Sequence, residues 1–282
     1  MGRFRHAQQP YRLAECYVLY KTLDFMIVKR WILSIAMNRI IPSTGLIPEA
    51  KPLYAQVKEL MLGRMIEGVW KPGAVLPSEF QLAAEFGVSQ GTVRKALDAL
   101  AAENLVIRRQ GRGTFVAEHD EDRALFHFFH LVGRNGERRL PGGTVLNCRD
   151  GKANKDEAAQ LGIDRSAPVT RIRRIRDLNG APAILEDLCL PRGLFPGLSG
   201  VQELPNTLYE LYERDFGVTI SRAEERLAAI EAGPDVAKLL ELEVGQPILE
   251  IDRIAFALDG RAVEWRVSLC DTRHHRYLAQ LI

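Results

Sequence analysis

The stretch LPSEFQLAAEFGVSQGTVRKALDALAAENLVIRRQGRGTFV, residues 76–116, decides the fold. It reads as two short helices, a sharp turn between them and a basic hairpin. Ser78, with Gln81 three residues later, has the form of a capping box. Leu82, Ala83 and Phe86 repeat at helical spacing, and Gly87 stands where a left-handed residue ends a helix. Ser89 is placed to cap a second helix, along which Val93, Ala96, Leu97 and Leu100 form one apolar stripe. The opposite face carries Gln90, Thr92, Arg94, Lys95 and Asp98 and is basic near its start. Two helices joined in this way make a helix-turn-helix. Residues 105–109, the Gly111–Gly113 turn and residues 114–116 then predict strand, turn and strand, with Arg108, Arg109 and Arg112 near the tip. That hairpin is a wing.

Outward from this stretch, 282 residues are enough for two cores. A net charge of +2 is too small to signal a nucleic-acid partner by itself, so any basic footprint must be local. Cys16, Cys148, Cys189 and Cys270 lie far apart with no C-x-x-C spacing, which disfavours a zinc ribbon or a disulfide framework and suits a reducing cytoplasm. Residues 1–48 read as a poorly ordered extension or an amphipathic basic helix. The apolar run 23–41 is interrupted by Lys29, Arg30 and Arg39, so it is not expected to span a membrane. A DNA-binding unit is expected over 49–117, opened by a helix on which Leu53, Val57, Leu60, Met61 and Met65 recur and which Gly68 closes. The charged run EHDEDR points to a linker over 118–125.

Residues 126–282 predict an α+β domain with an antiparallel sheet. Phe126, Phe128 and Phe129 suggest its first strand, and residues 144–149 a further short one. Two strands meet across Asn179-Gly180, the preferred pair for a type I′ hairpin, and another two across Asp259-Gly260. Helices are expected over 155–161, 207–216 and 235–242, with a strand over 218–230.

The pieces Pro77-Ser78-Glu79, Gly87-Val88-Ser89, Thr92 to Leu97 and Gln110 to Val116 resemble the winged-helix domain of the GntR family of bacterial transcription regulators. In the second half, Ile172-Arg173-Arg174-Ile175-Arg176, Thr207-Leu208-Tyr209 and Ile220-Ser221-Arg222-Ala223 resemble the UTRA effector domain of the HutC subfamily, whose fold is like that of chorismate lyase. The resemblance implies a non-enzymatic, effector-responsive repressor that binds a palindromic operator as a homodimer. It implies no cofactor and no metal. A membrane-tethered regulator and a lyase fused to a DNA-binding domain are the alternatives.

For DNA, the expected contacts are Ser78, Glu79, Ser89, Gln90, Thr92, Arg94, Lys95, Arg108, Arg109, Arg112 and Gly113, since the start of the second helix normally enters the major groove. Many family members carry DNA-contacting arginines where this chain has Phe80 and Gln90, which shifts binding onto Arg94 and the wing. For the effector, the resemblance points to Arg174, Arg176, Glu186, Thr207, Tyr209 and Glu264. Strand alternation puts Ile172, Arg174 and Arg176 on one face, and Ile184, Glu186 and Leu188 on one face of the partner strand. On the last strand Val263, Trp265, Val267 and Leu269 are expected to face the core, with Glu264, Arg266 and Ser268 opposite. Paired arginines and the helix N-terminus at Thr207 predict a small anionic ligand, a carboxylate or a sugar phosphate. Cys270 stands where the family often has a tyrosine.

Overall fold

Two reciprocal hydrogen bonds start the helix-turn-helix. In the computed structural model, which describes residues 51–119, 128–201 and 203–279, the Ser78 hydroxyl accepts from the Gln81 amide (3.3 Å) and the Gln81 side chain accepts from the Ser78 amide (2.9 Å). The extension 1–48 and most of the expected linker lie outside the described residues. Helices α1 (Leu53–Ile66), α2 (Glu79–Phe86) and α3 (Gln90–Ala102) are followed by β1 (Val106–Arg109) and β2 (Gly113–Val116). Gly87 ends α2 at φ 66°, a left-handed conformation that a side chain would strain. Ser89 then accepts from the Thr92 amide at 3.2 Å, supplying a partner to one of the orphan donors of α3. Val57, Met61 and Met65 of α1 meet Leu82 of α2 and the buried stripe Val93, Ala96, Leu97 and Leu100 of α3 in one core. β1 and β2 pair antiparallel, and Val75 bridges to Phe115 on the outer side of the wing.

The second half is built on a six-stranded antiparallel sheet. In chain order its strands are β4 (Thr144–Lys152), β5 (Pro168–Leu178), β6 (Ala181–Pro191), β7 (Ile220–Glu231), β8 (Pro247–Ala257) and β9 (Ala262–Cys270). Their spatial order is β4-β5-β6-β9-β8-β7. The β5–β6 turn has Asn179 and Gly180 at φ 57° and 79°, as a type I′ turn requires. The first strand of this half is β3 (Leu131–Gly133), not the expected phenylalanine cluster, and it pairs with β10 (His275–Tyr277). Phe126 lies outside the described residues, and Phe128 and Phe129 wall a cavity instead.

Both faces of the sheet are covered. Helix α5 (Leu208–Phe216) packs with Ile172, Leu188 and Leu190 on the inner face. Helices α4 (Lys155–Leu161) and α6 (Pro234–Leu240) cover the outer face, against Cys189 and Trp265 in one cluster and Ile248 and Leu269 in another. On β9 the expected division of faces is found, with Glu264, Arg266 and Ser268 on the side of Arg174 and Glu186, but the row from Trp265 to Leu269 is less buried than expected. Trp265, Val267 and Leu269 are only half-buried on the outer face, while Glu264, Arg266, Ser268 and Cys270 are buried on the inner one. Because both sides are covered, apolar residues do not mark a single core face here.

The Ser89 cap gives a direct test of the helix-turn-helix. Ser89→Ala is expected to lower stability by about 1 kcal/mol and Ser89→Gly by only a few tenths, read from urea midpoints.

Candidate nucleic-acid interface and effector cavity

The exposed end of α3 presents Gln90, Gly91, Arg94 and Lys95 to solvent. Arg94 is held by Glu79 on α2, which accepts from its Nε (3.0 Å) and Nη2 (2.8 Å). Arg108 on the wing reaches Asp98 at 2.8 Å and Glu79 at 3.7 Å, and donates to the Arg94 carbonyl at 3.3 Å. One acid thus ties the helix and the wing into a single surface. Ser89 and Thr92 bond to each other through their hydroxyls (2.9 Å) while Ser89 caps the helix. Arg109 lies over the Phe115 ring at 4.8 Å, which fixes its stem along the wing. Arg112 is exposed at the tip, and Gly111 and Gly113 both have positive φ, so the turn needs glycine there. Ser78 is exposed at the start of α2, from which Phe80 projects at 69% exposure.

The inner face of the sheet carries a buried charge cluster. Glu186 sits between two guanidiniums, accepting from Arg174 Nε at 2.5 Å and Arg266 Nη1 at 3.4 Å, with Ser268 Oγ also at 3.4 Å. Burial pushes its carboxyl up, but Arg174 and Arg266 outweigh that and hold it well below the usual carboxylate range. Glu264 is saturated by four donors, the Tyr209 hydroxyl (3.2 Å), the Tyr212 hydroxyl (2.7 Å), and Nε and Nη2 of Arg266 (both 3.0 Å). Burial and the neighbouring Glu264 push the Tyr209 phenol up to about 12. Arg253 on β8 pairs with Glu225 at 2.5 Å and donates to the Phe128 carbonyl, while the Tyr277 hydroxyl donates to the same Glu225.

Arg176 differs from the other three. It is 6% exposed and donates to Asn206 Oδ1 (2.6 Å) and to the Pro141 carbonyl (3.4 Å), and its Nε has no acceptor. Among the described residues it has no carboxylate partner. Burial and the adjacent Arg174 lower its pKa to about 9.

These groups border a cavity of about 730 Å³ of atom-free space, part of it open to solvent. Of the residues expected for the effector, Arg174, Arg176, Glu186, Thr207 and Tyr209 line it. Glu264 does not: it stands behind Tyr209 and orients that side chain. Thr207 precedes α5, but its hydroxyl donates to Glu210 (2.8 Å) and not to a helix amide. The sequence reading set Arg266 on the Glu264 row without naming it for the effector, and it missed Arg253, Asn206, His119 and Cys270 as lining residues. Arg253 carries a signal that alternation could have found, a single cation in the inward row of β8. Asn206 and His119 come from loops and carry none.

His119, expected in a solvated linker, is 4% exposed. Its ring bonds to the Ile220 carbonyl (2.8 Å), its amide donates to Glu213 (2.9 Å), and it packs edge-on to Tyr209 at 5.7 Å between centroids. Two residues earlier, Ala117 still donates to Leu105 beside the wing.

Comparison with known proteins finds a match for each half. Residues 53–116 match the family described as bacterial regulatory proteins, gntR family, and residues 137–276 match the UTRA domain. The transcriptional repressor NagR of Bacillus subtilis is 31% identical over 76% of this chain and 88% of its own length. The histidine utilization repressor of Pseudomonas putida is 30% identical over 72% and 81%. Among solved structures, the ligand-binding domain of a GntR-family transcriptional regulator from Bordetella bronchiseptica aligns with a TM-score of 0.51 at 33% identity, covering 56% of this chain and 99% of that one.

The buried cluster predicts a pH dependence. A carboxyl whose pKa is depressed on folding stabilises above its unfolded value, about 4.3, and loses that stabilisation as pH falls toward the folded value. Stability should therefore fall in acid below about pH 4.5. Glu186→Gln should cost about 3–5 kcal/mol at neutral pH by leaving two cations underpaired, and should flatten the acid limb. Urea titrations of both proteins across pH measure this.

Proposed function

This chain belongs to the GntR family, in the HutC-type branch that joins a winged helix to a UTRA domain, and from that premise we propose that it is a repressor released from DNA by a small anionic metabolite. The observation that carries the effector reading is Arg176, a guanidinium buried beside a cavity without a carboxylate partner among the described residues. Desolvating a cation is costly unless an anion offsets it, so an anionic ligand seated there gains more than it would on a neutral wall.

On DNA, the protein acts as a homodimer on a palindromic operator, two-fold symmetry in the protein meeting two half-sites. The start of α3 reads bases in the major groove through Gln90 and Arg94. Ser78, Ser89, Thr92, Lys95 and the wing residues Arg108, Arg109, Arg112 and Gly113 meet the backbone, and Glu79 presents Arg94. Effector occupancy shifts the population of the two reading heads between operator-competent and incompetent arrangements. His119 is the physical tie, since it walls the cavity two residues beyond the last hydrogen bond of the wing.

Two measurements test this reading. In a gel-shift salt series, Arg94→Ala and Arg112→Ala should each weaken operator binding and lower the salt slope by about 0.9 for each phosphate no longer neutralised; unchanged slopes in both would refute the assigned surface. His119→Ala should keep effector-free operator binding while reducing the effector-induced release at least about tenfold, with ligand affinity measured separately by calorimetry. Intact release in that variant would remove His119 from the coupling.

A further inference from the structure

The charge and the chemistry of the cavity wall restrict what the anion can be. Four guanidiniums, Arg174, Arg176, Arg253 and Arg266, meet three carboxylates, Glu186, Glu225 and Glu264, which leaves one positive charge for the ligand. Glu210 stands half-exposed at the rim, engaged by Thr207, where water screens it. A carboxylate carries one negative charge at neutral pH, whereas a phosphate monoester carries about 1.5 to 2. One surplus cation matches the carboxylate.

Much of the rest of the wall is apolar, although His119, His130, Asn206 and Thr207 also border it. Phe129, Leu131, Leu140, Ile184, Ile251 and Cys270 face the space beside Arg176, and the Phe129 ring lies 5.7 Å from the Arg176 guanidinium carbon. The hydroxyls that border this half are already committed: Ser268 to Glu186, Tyr209 to Glu264, Tyr277 to Glu225. A sugar entering here would surrender water from each hydroxyl against carbon, while an alkyl or aryl group would bury apolar surface.

We propose that the effector is a monocarboxylate with an unhydroxylated alkyl or aryl body, its carboxylate on Arg176 and Asn206 and its body against Phe129, Ile184 and Ile251. This rests on the anion-sensing reading above and narrows it from any anion to one class.

The test uses calorimetric titration of the full chain with hexanoate, 3-phenylpropionate, gluconate and glucose 6-phosphate. Gluconate matches hexanoate in carbon count and charge and differs in its hydroxyls. Hexanoate or 3-phenylpropionate is expected to bind at least about tenfold tighter than gluconate or glucose 6-phosphate, with affinity rising about fourfold per methylene from butyrate to hexanoate. Arg176→Met should abolish that binding; the side chain it removes has no ion-pair partner to strand, and a urea midpoint near wild type checks its fold. Tighter, Arg176-dependent binding of gluconate or glucose 6-phosphate overturns the monocarboxylate class and leaves anion sensing standing. Binding of none of the four up to about 10 mM, or binding unchanged in folded Arg176→Met, overturns both.

Discussion

The effector half depends on one carboxylate serving two cations. Arg174 and Arg266 project from strands on either side of β6 toward the same buried face, and Glu186 on β6 lies between them. Two like charges about 5 Å apart at an effective dielectric near 20 repel by about 3 kcal/mol, a cost that the shared carboxylate offsets. Glu264 and Glu225 each pair with one cation, Arg266 and Arg253. With every acid engaged, Arg176 stays cationic against its own desolvation and the field of its neighbours. Its lowered pKa records that conflict. Burying ion pairs in this way adds little net stability compared with apolar packing. What it supplies is a fixed electric field at the cavity wall, with each guanidinium locked before a ligand arrives.

The reading head uses the same residue types with the opposite balance. Arg94 donates twice to one Glu79 oxygen, yet its side chain is 59% exposed, so water screens the pair and it adds little to stability. That is weak enough for a phosphate or a guanine edge to share or replace Glu79, while the pair still holds Arg94 near one orientation in free protein. Arg108 shares the acid and bonds the Arg94 carbonyl, so helix and wing present their cations together. Phe80 and Gln90 add no charge to this surface, so its positive charge comes from this shared anchor, Lys95 and the rest of the wing.

How much of this was legible in the sequence follows from periodicity. The caps at Ser78 and Ser89, the turn at Gly87, the stripe from Val93 to Leu100 and the Asn179-Gly180 hairpin are local devices, and each appears where its residues predict. Alternation on β5 and β6 put Arg174, Arg176 and Glu186 on one face because a strand fixes side-chain direction strictly. The same rule set Glu264, Arg266 and Ser268 of β9 on that face as well, but not how deeply each row is buried. Trp265, Val267 and Leu269 look like a core row, but helices α4 and α6 cover that face while the charged row faces the cavity. Which covered face holds a ligand is a tertiary fact. Asn206 and His119 lie in loops without a repeat, so only the folded chain brings them to Arg176 and Tyr209.

The two halves touch through the element that carries the charge cluster. Leu258, at the tip of the β8–β9 hairpin, packs on the winged-helix core, in a space bordered by Met65, Trp70 and Val116. Arg253 and Arg266 sit opposite each other midway along that hairpin. A strand cannot slip by one residue without turning every side chain to the wrong face, and here that would strand two buried guanidiniums. The hairpin is therefore held in one register, and its tip is where the winged helix rests. His119 offers a second connection near the same base of the wing, from the cavity wall to the segment leaving β2. Leu258 and His119 thus join the cavity-bearing half to the winged helix at two places, both made of side chains whose alternatives are few.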